Sequence, residues 1–195
     1  MLDISYVFSM DRTWLLQQLQ NFRSVYAEEQ SQIQRVIKFL EEEPDAFHRT
    51  LLKGHVTGSA WIVTPDFLKV LLTHHRKLGR WQQLGGHADG DEDIVRVAER
   101  EAYEESGLPE GSIMRAPDPV FDVDIHIVPA YGTEPEHVHY DIRVLLFADA
   151  DAPLKKTHES NDLAWFPMDA VEHIPNLQDA VLRLVEKSKE RTITQ

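Results

Sequence analysis

The chain has 195 residues, 42% apolar and 27% charged, with 33 acidic against 20 basic side chains and a formal charge of −13. That excess of negative charge argues against binding to a phosphate backbone or an anionic membrane surface, both of which need concentrated Lys and Arg. Cysteine is absent, which excludes disulfides, thiolate zinc sites, iron–sulfur clusters and a Cys nucleophile. No apolar run approaches the roughly 20 residues of a membrane span and no basic, then apolar, leader opens the chain. The expectation is a cytoplasmic protein with neither membrane nor nucleic-acid polymer as partner.

In chain order, the first 44 residues read as two helices. Asp11 is a plausible N-cap, and Leu15, Leu19, Phe22 and Tyr26 recur at i, i+4, i+7 and i+11. Ile33, Val36, Ile37 and Leu40 repeat the stripe before Pro44. This segment carries no chemistry; its apolar stripe would either fold back on the rest of the chain or form a homodimer. From His55 the texture changes to short apolar runs. Val56 to Val63 and Phe67 to Thr73 read as strands around Thr64-Pro65-Asp66. A helix from about Asp91 to Ser106 ends at Gly107 and Pro109. Phe121 to Ile127 alternates with Asp122, Asp124 and His126, and a second alternating strand runs from His137 to Phe147. Leu163 to Phe166 makes a last strand and Leu177 to Lys187 a closing amphipathic helix. Helices mixed with strands in this order predict an α/β or α+β layered domain over residues 51–195, preceded by a helical extension over 1–50.

The informative helix breaks the ordinary rule of amphipathicity. With Glu101 set at zero on a helical wheel, Glu105 falls at about 40° and Glu104 at about 300°. Ile94, Val97, Ala98 and Ala102 lie in the same half, so three carboxylates share the apolar side. Such a cluster repels itself and resists burial unless cations compensate. Arg100 can offset one charge; the rest ask for a hard divalent ion with oxygen ligands. The preceding Gly85-Gly86 pair lets backbone approach the cluster and frees a carbonyl for that ion.

These residues resemble the box of the Nudix hydrolases: Gly86, Glu92, Arg100-Glu101-Ala102, Glu104-Glu105 and Gly107-Leu108 stand at the family's spacing. Ala102 departs from the family's usual larger aliphatic residue, a matter of packing. The resemblance implies an α/β/α sandwich with a mixed sheet and hydrolysis of a small nucleoside diphosphate derivative with Mg²⁺ or Mn²⁺. A nucleoside diphosphate sugar such as ADP-ribose is favoured over a nucleoside triphosphate. It further implies Glu101, Glu104, Glu105 and the Gly85 carbonyl as metal ligands, Arg100 as the group that orients a glutamate, and Glu92 as support for the loop or for an additional metal through water. The general base is either Glu101 or a carboxylate on a distal loop, for which Glu159 is the candidate. A protein of this fold that only senses nucleotides is the alternative, against which the complete carboxylate set argues.

Other residues are candidates for lining the substrate pocket. Asp122, Asp124 and His126 share one strand face; His137, His139, Asp141 and Arg143 share the corresponding face of the next. Antiparallel pairing would join them into one polar patch, in which Arg143 could grip a phosphate and His126, His139 and Asp141 could meet a ribose or phosphate. His87 follows the glycines and would face the phosphates, and Trp81 could stack on a base. A zinc site from His137 and His139 is conceivable, though alternate strand positions more often form a solvated face.

Overall fold

The computed structural model describes residues 10–130, 132, 135–158 and 160–193. Two helices open it, α1 (Arg12–Asn21) and α2 (Ala27–Glu42). The Asp11 carboxylate accepts from the backbone N–H groups of Thr13 and Trp14, so the expected cap is in place. The first stripe does not run on as one helix: α1 stops at Asn21, Phe22 is extended, and Tyr26 caps α2.

Seven strands follow: β1 (Gly54–Val63), β2 (Lys69–His75), β3 (Arg80–Gln82), β4 (Leu84–His87), β5 (Met114–Val128), β6 (His137–Phe147) and β7 (Ser160–Pro167). Helix α3 (Ile94–Ser106) lies between β4 and β5, and α4 (Asp179–Ile193) closes the chain. The sheet runs β3-β2-β1-β6-β5, with β4 also paired to β1 and β7 to β2. The β1–β6 pair is parallel and the others are antiparallel. Strand β5 starts seven residues before the alternation at Phe121 shows itself. Pro117 and Pro119 interrupt the pattern there, and the pairing with β6 slips between Arg115 and Asp122 because proline donates no ladder hydrogen bond.

Helices cover both faces. On one, Val56, Ala60, Ile62, Ile142 and Val144 of the sheet pack with Leu15, Leu19, Ile33, Val36 and Leu40 of α1 and α2, and with Ile94, Val97 and Ala98 of α3. On the other, Trp61, Val63, Phe121 and Leu145 meet Val181, Leu184 and Val185 of α4. The Trp61 indole N–H donates to Ser188 Oγ at 2.8 Å, which satisfies the one polar atom of that fully buried ring. The stripe of α1 and α2 is therefore buried on the chain itself, which removes the reason for expecting a second copy to cover it. Among the described residues no helix is long and apolar enough to cross a membrane.

Candidate active site

The helix that carries the acidic cluster sits unusually close to the sheet. Asp93 caps α3 by accepting from the Arg96 N–H, and Gly107 ends it with φ of 62°. Beneath it, Gly58 of β1 leaves no room for a side chain: a Cβ there would stand 2.9 Å from Val97 Cγ1. Gly86 of β4 pairs with Gly58, and a Cβ on Gly86 would stand 2.6 Å from the carboxyl carbon of Glu101. The missing side chain at 86 is thus the space in which the Glu101 carboxylate rests.

Arg100 fixes that carboxylate. Its Nη2 donates to Glu101 Oε1 at 2.8 Å and to the His87 carbonyl at 2.8 Å, tying α3 to the end of β4. The hydrogen bond to Glu101 leads the causes that raise the guanidinium's pKa. Glu104 is farther from Arg100, at 4.0 Å. The wheel is corrected in one respect. The Glu101 side chain is 15% exposed and Glu105 is half-buried, but Glu104 is 63% exposed and stands on the rim. Solvation of one member relieves the repulsion that three inward carboxylates would suffer. Glu92 is met by Arg12 of α1, whose Nε donates to its Oε1 at 3.1 Å while Nη1 and Nη2 bond the Glu43 and Pro44 carbonyls. The N-terminal helices thereby reach the loop that leads into α3.

This end of the sheet suits a hard divalent cation. The side-chain donors are carboxylate oxygens, Arg100 pairs with Glu101 and reaches Glu104 only at 4.0 Å, and the Gly86 cradle fixes one carboxylate in place. Glu159, the distal candidate, lies outside the described residues.

The polar patch on β5 and β6 forms as expected but is closed over. Asp122 lies opposite Arg143, Asp124 opposite Asp141, and His126 opposite His139. Arg143 is fully buried, and its three nitrogens donate to Asp141, Asp122 and Asp124 at 3.0 to 3.1 Å. Asp141 also accepts from Thr57 and Ser59. From α4, Arg183 donates two 2.8 Å bonds to Asp122, and Lys187 reaches both Asp122 and Glu29 of α2. Burial alone would raise the Asp122 pKa; Arg183, Arg143 and Lys187 outweigh it and lower the pKa to about 2. Asp124 is lowered in the same way, burial being overcome by His126 and Arg143. In this arrangement Arg143 and Asp141 are a buried ionic brace, with no face turned to a phosphate.

His87 and His139, expected at the substrate, instead join His55 and His137. The ligand atoms of these four imidazoles all lie within 4.8 Å of one another. Among the described residues these four form a group of side chains that could hold a metal ion. His55 was not singled out from sequence; its signal is the alternation His55, Thr57, Ser59, which puts it on the face of β1 registered with His139, Asp141 and Arg143 of β6. His126 sits beside the group, its ring 5.4 Å from that of His139 and its Nδ1 3.2 Å from Asp124. Trp81 packs edge-on to Phe166 and His74 in the second core cluster, which accounts for the ring without a nucleobase.

A family model described as the NUDIX domain matches residues 54–186. Among curated proteins none matches the chain. Among solved structures it is similar to a C. elegans Ap4A hydrolase binary complex (17% identity, 72% of this chain and 98% of that one, TM-score 0.56). It is also similar to the M. smegmatis Nudix hydrolase RenU (21% identity, 72% and 88%, TM-score 0.52). A third likeness is to a bifunctional NMN adenylyltransferase/ADP ribose pyrophosphatase from Francisella tularensis, complexed with AMP and a Mn ion (12% identity, 85% and 48%, TM-score 0.50). At these identities the structural likeness speaks for the fold.

Proposed function

The chain belongs to the Nudix family of pyrophosphohydrolases, and on that premise we propose that it hydrolyses the diphosphate linkage of a small nucleoside diphosphate derivative, a nucleoside diphosphate sugar of the ADP-ribose kind before a nucleoside triphosphate. The observation that carries this reading is the Glu101 carboxylate seated over Gly86 and held by Arg100. Glu101, Glu104, Glu105 and the Gly85 carbonyl would hold Mg²⁺ or Mn²⁺. When bound, such an ion neutralises phosphate charge and lowers the pKa of water. Arg100 acts through Glu101: by bonding both it and the His87 carbonyl, it fixes the carboxylate relative to β4. Water attacks one phosphorus, the bridging P–O bond breaks, and the departing phosphate oxygen takes the electron pair. The water proton goes to a carboxylate, Glu159 or Glu101, the first favoured because a carboxylate bound to metal is a poorer base. His126, partly exposed and bonded to Asp124, is the imidazole we assign to the substrate's phosphate or ribose. A cytoplasmic setting, where small nucleotides abound, belongs to the same proposal.

Turnover of a nucleotide panel with Mg²⁺ or Mn²⁺ in ¹⁸O water, with mass analysis of both products, tests it. We expect two phosphorylated products, one of them labelled. Tight nucleotide binding with no turnover anywhere in the panel would refute hydrolysis and leave a sensing module.

A further inference from the structure

We propose that His55, His87, His137 and His139 form a second metal site, distinct from the carboxylate site, that takes a borderline divalent ion of the zinc type. The four residues come from three strands: His55 from β1, His87 from the end of β4, and His137 and His139 from the start of β6. Strand pairing places them together, with His55 opposite His139 in the parallel β1–β6 pair and His87 opposite Thr57 in the β1–β4 pair. Their ligand atoms gather within 4.8 Å. The ring of His55 lies 5.0 Å from each of the other three rings.

Three observations point to an ion. His55 is 3% exposed; one ring nitrogen turns to the Leu51 backbone in a loose hydrogen bond, and the other has no hydrogen-bond partner among the described residues. A buried ring nitrogen left unsatisfied is costly, and a metal bond supplies what protein partners do not. The second is the state of His137. Its Nδ1 lies 2.8 Å from the Pro135 carbonyl, which can only accept, so Nδ1 carries the proton and Nε2 presents a lone pair. That backbone anchor is the usual way a ligating histidine is oriented. The third is the distance of 3.1 Å between the Nε2 atoms of His137 and His139. Two nitrogens on a tetrahedral zinc ion, each about 2.0–2.1 Å from it, stand about 3.3 Å apart, so this edge is already close to a ligand edge.

The four imidazoles offer the ion only nitrogen donors. Neutral nitrogen donors favour zinc over the hard Mg²⁺, which selects the oxygens of the neighbouring site. With four protein ligands the site is closed, so its part is structural: it clasps β1, β4 and β6. The clasp reaches the carboxylates through one residue, because the His87 ring joins the cluster while its carbonyl receives Arg100.

The test is metal content and titration on the full chain. After chelation and dialysis, we expect one equivalent of Zn²⁺ to rebind, Mg²⁺ in large excess not to displace it, and Co²⁺ to give the visible absorption of a tetrahedral nitrogen site. His139→Gln should weaken zinc binding at least a hundredfold. His137→Ala, half-buried at a strand start, gives a second reading should the first variant fail to fold. Glu105→Gln should keep its zinc. Absence of a stoichiometric equivalent, zinc binding unchanged in His137→Ala, or zinc lost in Glu105→Gln and retained in the histidine variants would each overturn the proposal.

Discussion

Replacing Gly86 by alanine separates catalysis from stability at one atom. The added Cβ would lie 2.6 Å from the Glu101 carboxyl carbon. Ordinary carbon contact begins at about 3.5 Å, so the carboxylate must retreat by about 1 Å. The obstruction is the far end of a flexible side chain, which can move, so stability should change by no more than about 1 kcal/mol in either direction. A displacement of that size in a positioned catalytic group costs on the order of a hundredfold in rate. Gly85→Ala is the control. Its φ is 154° and a Cβ there would stand 2.6 Å from the Cα of Ser59, in the backbone of β1. Nothing flexible can give way, so that variant should lose about 3 kcal/mol or more. Steady-state turnover of the best panel substrate and urea midpoints, measured on both variants, decide the matter. Parental turnover in Gly86→Ala, or a stability loss equal to that of Gly85→Ala, would refute the cradle.

Other expectations concern the buried brace and its titration. Arg143→Met strips the guanidinium from Asp122, Asp124 and Asp141. Leaving buried carboxylates without their partner should cost about 3–5 kcal/mol in urea unfolding; lost turnover at unchanged stability would instead restore Arg143 to the substrate. The Asp122 pKa is lowered from 3.8 to about 2 in the folded chain. Its contribution, on the order of 2 kcal/mol, is therefore present above pH ~4 and lost as the pH falls toward ~2. Glu29, raised by burial and by Asp122, works the other way and takes its proton first. Urea midpoints followed from neutral pH to acid should fall most steeply between pH ~4 and ~2, and a flat profile there contradicts the ionic account.

The family box on α3 and the pairing of β5 with β6 were legible in the sequence, because both rest on local spacing. The identities in one short box and a period of two survive without knowledge of the fold. Burial of the β5–β6 polar face was hidden for the opposite reason. Its closure depends on Arg183 and Lys187 from α4 and on Glu29 and Gln32 from α2, all far along the chain from the β5 residues they meet. A charged strand face looks solvated until its partners are placed. His55 escaped notice because a single histidine at a strand start carries no pattern; only the parallel register with His139 gives it meaning. The continuation of the first stripe to Tyr26 misled because apolar spacing outlasts the helix. Phe22 still packs on the core, but from an extended connector, and Tyr26 is the cap of the next helix.

At the centre stands the assignment of the α3 carboxylates to a divalent ion at a diphosphate. Its most direct measurement is turnover of Glu105→Gln across a Mg²⁺ titration, alongside its urea midpoint. We expect an intact fold and a loss of about a hundredfold or more that added Mg²⁺ does not repair. Turnover matching the parent at equal Mg²⁺ would contradict the assignment.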